Sequence, residues 1–512
     1  MSEPIETSEP PPEMVIFSEP IPAASTEPVG DPPAVAATDG RARPESQGGG
    51  FLRQTLEFLI TLCLSVLVFR TFAAEAYIVP TGSMAPTLLG QHRELVCPNC
   101  RYRLVLGLDE AGRGGRPLCP NCGQGDLDAT PALDNSGDRV LVQKFLYDVR
   151  RPRRWEVAVF HFPGDPSQAY VKRVVGLPGE SVQIGGGDVW INGRIARKSL
   201  KEQRAIRVLV FDNDFVPADG GRYPRWVFRK GRPQQRLASG WRADGTRFVH
   251  EPVDTPDDRL DWVEYRHLDP DRGRYAAVHD FYAYNGGDVR AENEVNDLMV
   301  EARVTPGADA RAVAVRIDSG GNKFVVEVPL VGSEGPIAIT RNGVSLRPSN
   351  PRFVPLLAGG SGLLEASVMD RRLTVALDGV LLFDPIDFDD NVEGPGANES
   401  PIAIGVRGGS LSLSNVRVYR DVYYTAALAF TPRRPFGVDQ PFRLGPDDFF
   451  VLGDNSPVSN DSRFWPVSPV VPGELFLGKP FLVHLPGQAV PLRVFGRAVY
   501  WVPDPREIRY IR

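Results

Sequence analysis

Y-I-V-P-T-G-S-M-A-P-T-L-L-G, residues 77–90, follows directly on the most apolar run of the chain, and the rest is read outward from it. Tyr77, Ile78 and Val79 favour extended backbone; Pro80 and Gly82 then bracket Thr81, and Ser83 comes straight after the glycine. A short strand ending in a Pro/Gly turn presents one hydroxyl on a fixed backbone. The N–H of that serine can then face whatever the hydroxyl attacks. Taken alone, a plain polar turn is the simpler reading, and a base elsewhere in the chain has to tip the balance.

The 512 residues suffice for about two to four domains, each with its own core. Apolar content of 42% and charged content of 24% are ordinary for globular protein. A net charge of −6 offers no basic field for nucleic acid. Only seven of the 58 basic residues are Lys, so a Lys inside an apolar strand stands out. With Gly 51, Pro 48 and many short Val/Ile/Leu runs, the expected fold class is mainly β.

Residues 1–50 hold ten Pro and nine acidic residues without apolar periodicity, which predicts a disordered leader. F-L-I-T-L-C-L-S-V-L-V-F (58–69) is free of charge, and with its flanks it predicts a short transmembrane anchor over 54–76. Arg41, Arg43 and Arg53 precede the run and only Arg70 stands at its far end, which places the N-terminus on the cytoplasmic side. C-P-N-C (97–100) and C-P-N-C-G (119–123) form two knuckles within 95–125. Cys97, Cys100, Cys119 and Cys122 at this spacing suit four thiolates around one structural zinc. Disulfides compete, since an anchored domain outside the cytoplasm meets an oxidising compartment; Pro inside each knuckle and Gly after the second favour zinc.

From residue 137 short strands follow one another: R-V-L-V-Q-K (139–144), E-V-A-V-F-H-F (156–162), Y-V-K-R-V-V (170–175), S-V-Q-I (181–184) and D-V-W-I (188–191). Lys172 stands among Val171, Val174 and Val175. Desolvation there is expected to pull its pKa toward neutrality, as a lysine base requires; a solvent-facing Lys at a strand edge is the competing reading. Residues 196–290 read as an irregular accessory region, and 291–425 as a β-sandwich of short alternating strands. The chain then returns to compact strands over 426–512, where Asp454, Asn455, Asp461 and Arg463 crowd two turns in a pattern that predicts a buried polar network.

Four blocks in order, P-T-G-S-M-A-P-T-L, G-D-R-V-L-V-Q-K (137–144), Y-V-K-R-V-V-G-L-P-G-E (170–180) and G-D-N-S-P-V-S-N-D-S-R-F-W (453–465), together resemble type I signal peptidase, a membrane-bound serine protease family. The resemblance covers well under half of the chain. It implies an antiparallel β catalytic domain in two parts, 77–195 and 426–512, with Ser83 as nucleophile and Lys172 as general base. It further implies that Ser459 orients the lysine, that Asp461 and Arg463 form a supporting salt bridge, and that Ser83 N–H and the Thr81 hydroxyl stabilise the oxyanion. Catalysis would need no cofactor. The partners implied are signal peptides of exported preproteins and the lipid bilayer, with the catalytic domain outside the inner membrane. No His lies in any block to serve as the base instead. Thr81 stands where many members have Ser, Glu180 where Asp is usual, and Ser456 with Pro457 where an Arg and a polar residue are expected. The run 372–419 separately resembles the laminin-G/concanavalin-like superfamily, whose folds often bind sugars or proteins; a spacer role competes. The alternative for the whole chain is a non-catalytic envelope protein that binds a partner or glycan on a decayed protease scaffold.

Overall fold

The alternating runs fold as antiparallel strands gathered into two large assemblies in the computed structural model. The structure describes residues 50–511 except 69–73, 109–115, 218–222, 231–238, 253–258, 287–288, 331, 333–334, 390–397, 430–434, 467, 486–488, 495–496 and 504–507. The first assembly is a sheet in the order Ala74–Ile78, Arg139–Gln143, Phe476–Leu485, Val157–Phe162, Asp165–Gly176, Asp448–Leu452, Val471–Pro472, with Arg509–Tyr510 added to Phe476–Leu485. Strands from both ends of the chain therefore interleave in one sheet. Its core gathers Val79, Val140, Val142, Val157, Val171, Phe449 and Trp465; Arg139–Gln143 buries alternate residues, whereas Val157–Phe160 and Ala169–Gly176 are buried on both faces.

The second assembly is a sandwich of a nine-stranded and a seven-stranded sheet. Leu298–Pro306 and Leu411–Arg420 centre the first sheet, Ile402–Arg407 and Ala312–Ser319 the second, and Val300, Val304, Ile404, Val406, Val315 and Phe324 fill the space between. The sandwich begins far earlier than residue 291. Val208–Asp212, Trp226–Lys230, Trp241–Asp244, Arg247–His250 and Asp261–Tyr265, all in the stretch expected to be irregular, are strands of its two sheets. Val208–Asp212, Arg247–His250 and Asp261–Tyr265 pair with Leu411–Arg420 or Ile402–Arg407 far downstream, and the many charges between the aromatic residues hid the alternation.

The N-terminal apolar run forms a helix over Gly50–Val68, and Ala74–Ile78 already pairs with Arg139–Gln143, so residues 74–76 belong to the sheet rather than to an anchor. Among the described residues no helix is long and apolar enough to cross a membrane. The reason is local: Arg53 and Glu57 pair at 2.8 Å in the first turns. The uncharged stretch 58–68 that follows spans about 16 Å at 1.5 Å per residue, against a hydrocarbon core of about 30 Å. The leader expected over 1–50 lies outside the described residues up to residue 49.

Beside the sandwich, just past Arg194–Ile195, Lys198 Nζ is buried between Asp370 at 2.6 Å and Asp421 at 2.7 Å. Asp188 and Asp297 bring two further carboxylates to the same cluster, which opens on a cavity of about 1020 Å³. Burial, reinforced by the charge of Asp370, pushes Asp188 up to about 7. With the folded pKa above the unfolded value, the native state binds the extra proton between about pH 4 and 7, so stability falls as pH rises through that window. Thermal unfolding should therefore give a midpoint that drops from pH 4.5 to pH 7.5, and Asp188→Asn should flatten the drop. An unchanged slope in the variant would assign it to other groups.

Candidate active site

The turn after Ala74–Ile78 is locked into the sheet at both ends. Val79 N–H donates to Asp138 O at 2.9 Å, Asp138 N–H donates to Leu89 O at 2.8 Å, and Gln91 N–H donates to Pro80 O at 2.9 Å. Thr81 is extended, and Gly82–Met84 then makes one 3₁₀ turn closed by Ala85 N–H on Gly82 O at 2.9 Å. Ser83 is thereby buried with 4% of its surface exposed.

Lys172 lies in Asp165–Gly176, paired with Val157–Phe162 on one side and Asp448–Leu452 on the other, so it sits in the sheet interior rather than at a solvent-facing edge. It is 1% exposed, and its Nζ donates to Ser83 Oγ at 2.6 Å across 89 residues of chain. The Tyr170 ring stands 5.5 Å from the same nitrogen. The next residue, Arg173, is equally buried and binds Asp454 through two bonds of 2.7 and 2.6 Å, and donates to Trp155 O at 2.7 Å. Thr87 Oγ1 also donates to Asp454 at 2.5 Å, tying the serine turn to this pair. Arg173 and Thr87 escaped the sequence reading. A second cation beside the candidate base, with an Asp in the last block, was the available signal.

The last block wraps the serine from the opposite side. Asn455 N–H donates to Ser83 O at 3.0 Å and Asn455 Nδ2 to Gly82 O at 3.0 Å. Arg463 and Asp461, both fully buried, pair at 2.7 and 2.9 Å, and Asp461 Oδ2 also accepts Gly453 N–H at 3.0 Å. Gly453 has no room for a side chain: a Cβ there would stand 2.1 Å from Ser459 Oγ and 2.5 Å from Ser83 O. Ser456, where an Arg was expected, is used by the network itself; its Oγ accepts from Arg463 Nη1 at 2.8 Å and from Thr425 N–H at 2.8 Å. Ser459 differs from expectation. Its Oγ is buried beside Gly453 and makes no hydrogen bond, while the lysine it was to orient bonds Ser83. Thr81 is partly exposed at the entrance of the turn.

The four knuckle cysteines converge with their sulfurs all within 4.8 Å of one another. Cys97 and Cys122 are 3.6 Å apart, as are Cys100 and Cys119. That is far beyond a disulfide bond of about 2.05 Å, and close to the edge of about 3.8 Å that zinc–sulfur bonds of about 2.3 Å give a tetrahedron. Each knuckle turns on a residue with positive φ, Arg101 at 66° and Gly123 at 76°. Hydrogen bonding, from Cys119 first and then Cys122, holds the Cys100 thiol down at about 4.

The family described as "Signal peptidase, peptidase S26" matches residues 128–229, a segment that contains Lys172. Signal peptidase I of Leptolyngbya laminosa is 32% identical over 149 residues, 27% of this chain and 51% of that protein. Signal peptidase I of Pseudomonas aeruginosa is 28% identical over 148 residues, 26% of this chain and 36% of that protein. A 64-residue match to signal peptidase I of Bacillus caldolyticus reaches 38% identity over 12% of this chain and 34% of that protein. The chain thus spans about half the length, or less, of these relatives. Among solved structures, a carbohydrate binding module from Bacillus subtilis covers 38% of this chain and 94% of its own at 14% identity, with a TM-score of 0.23. A galectin from Caenorhabditis elegans covers 25% of this chain and 82% of its own at 12% identity and a TM-score of 0.18; at such scores the likeness carries no functional meaning. Over the matched segment the chain is thus similar to the signal peptidase family, peptidase S26.

Proposed function

We propose that this chain is a membrane-bound serine endopeptidase that removes signal peptides from exported preproteins with Ser83 and Lys172. The observation that carries the reading is the 2.6 Å contact of Lys172 Nζ with Ser83 Oγ, both side chains buried. The neutral amine takes the Ser83 proton as Oγ attacks the scissile carbonyl. Charge then develops on the carbonyl oxygen, opposite the Ser83 N–H and the Thr81 hydroxyl. On collapse the C–N bond breaks and the Lys172 ammonium returns the proton to the leaving amine. The amine next takes a proton from water and hydroxide attacks the ester; the C–Oγ bond breaks and the Lys172 ammonium returns the proton to Ser83 Oγ. Ala74–Ile78 is an edge strand of its sheet, so an extended peptide can add to it and deliver a small residue to Ser83.

The helix Gly50–Val68 supports the membrane part of the reading. Leu56, Phe58, Leu59, Ile60, Leu62 and Leu64 are each about half exposed or more on its surface, an apolar patch that calls for a covering phase. Anchored there, the helix would hold Ser83, fifteen residues beyond it, close to the bilayer. The test is direct. Full-length protein in phospholipid vesicles should cleave a preprotein at one bond after a small residue, read by mass spectrometry of the mature product; intact preprotein at equimolar enzyme overturns the proposal.

Cys97, Cys100, Cys119 and Cys122 would hold a structural zinc, which when bound supplies four covalent-like links across a hairpin with little core of its own. Metal analysis should give about one zinc per chain, lost in the Cys97→Ser/Cys119→Ser variant together with a fall in the unfolding midpoint. Two intact disulfides in the purified protein would refute the zinc site.

A further inference from the structure

The peptide joining Gly82 to Ser83 is gripped on its carbonyl side. Gly82 O accepts from Ala85 N–H at 2.9 Å and from Asn455 Nδ2 at 3.0 Å. In a trans peptide the N–H points away from the C=O. Holding Gly82 O toward Asn455 therefore aims the Ser83 N–H at the other side, where the substrate oxygen takes up charge. The grip works only if Asn455 presents its amide nitrogen; turned over, it would set oxygen against oxygen. Asn285 holds that amide in place. Its Nδ2 donates to Asn455 Oδ1 at 2.9 Å while its Oδ1 accepts from Asn455 Nδ2 at 2.7 Å, and the two residues are 1% and 0% exposed.

Asn285 belongs to none of the four sequence blocks. It ends the 3₁₀ turn Ala283–Asn285, in the inserted stretch that otherwise builds the sandwich. The turn is itself pinned to the site. Tyr282 OH donates to Asp454 O at 2.8 Å and Tyr284 OH to Gln91 O at 2.9 Å. The Tyr284 ring packs against Gly82, where a Cβ would stand 2.0 Å from it, and against Gly107 of the cysteine hairpin, where a Cβ would stand 2.4 Å away. Only glycine at both places admits the ring.

We infer that Asn285 is a positioning residue for the oxyanion donor Ser83 N–H, acting through Asn455, with Tyr284 clamping the same peptide. The inference rests on the protease reading above. It assigns the insertion a part in catalysis that neither the nucleophile turn nor the last block can supply alone.

The test uses full-length enzyme in vesicles and two variants, Asn285→Ala and Asn285→Leu, the second filling the volume without the hydrogen bonds. Both should lower kcat about 10- to 100-fold with KM within about twofold, because the donor acts on the transition state only. The inhibition constant of a substrate-derived peptide aldehyde, whose adduct on Ser83 carries the oxyanion, should rise in parallel. The dissociation constant of a non-cleavable substrate analogue should not move. Combined with Asn455→Ala, the loss should be less than the product of the separate losses. Unchanged kcat, recovery of kcat by Leu, or a fall in kcat with an unchanged aldehyde constant would each overturn the brace. Wild-type protein that cleaves nothing would overturn the protease reading instead, so the two failures are distinguishable.

Discussion

Ser83→Ala and Lys172→Met should each lower the rate of preprotein cleavage by about 10⁴-fold or more, the loss expected when one member of a nucleophile–base pair that acts as a unit is removed. Neither change disturbs the fold on geometric grounds. Ser83→Ala removes one hydroxyl from a turn held by backbone bonds at Val79, Gln91 and Asp138. Lys172→Met keeps an apolar stem of similar length in a strand paired on both sides. Lys172→Arg should fail equally. A guanidinium stays protonated at any working pH, and Arg173 beside it already takes up the available carboxylate. The measurement is single-turnover cleavage followed by mass spectrometry, with unfolding midpoints to show that each variant is folded. A folded Lys172→Met enzyme retaining more than about a hundredth of wild-type rate would remove Lys172 as the base.

What could be read in advance follows from how local each signal is. The strands around Ser83 and Lys172 are short, apolar and bounded by turns, so their existence is written in ten residues at a time. A Lys among valines is equally local, whereas the hydroxyl on its Pro/Gly turn reads as a plain polar turn until a base is placed beside it. That they lie 2.6 Å apart is not local, and only the order of the four blocks hinted at it. Asp261–Tyr265 was missed because its pairing partner Ile402–Arg407 lies about 140 residues later, and Trp226–Lys230 because it joins the sheet only through Asp261–Tyr265, not through its own pattern. Asn285 could not be found at all from sequence. An Asn in a charged loop looks like any turn residue until Asn455 is placed opposite it. The helix errs in the other direction. Its apolar run is conspicuous, but Arg53, Glu57 and the start of the sheet at Ala74 bound it more tightly than a window average suggests.

Asp461→Ala should destabilise the protein by about 3–5 kcal/mol, the cost of leaving a buried guanidinium without its carboxylate. Arg463 is fully enclosed and spends its donors on Asp461, on Thr425 O at 2.6 Å, and on Ser456 Oγ and O at 2.8 and 3.0 Å. The carbonyls and hydroxyl satisfy its hydrogens but cannot neutralise its charge, so the carboxylate is the one partner whose loss is not absorbed. The same substitution frees Gly453 N–H, which Asp461 Oδ2 accepts, at a residue packed between Ser83 O and Ser459 Oγ. The effect should therefore reach the site as well as the fold, with cleavage falling even in the fraction that stays folded. Urea unfolding separates the two by giving stability independently of rate. The double variant Asp461→Ala/Arg463→Met is the informative control. Removing both charges and keeping an apolar stem should recover a large part of the lost stability, as buried pairs replaced by apolar residues commonly do. Recovery of stability without recovery of rate would show that Asp461 also serves the site through Gly453; a single variant costing less than about 1 kcal/mol would mean that Arg463 reaches water and that the pair is not sealed.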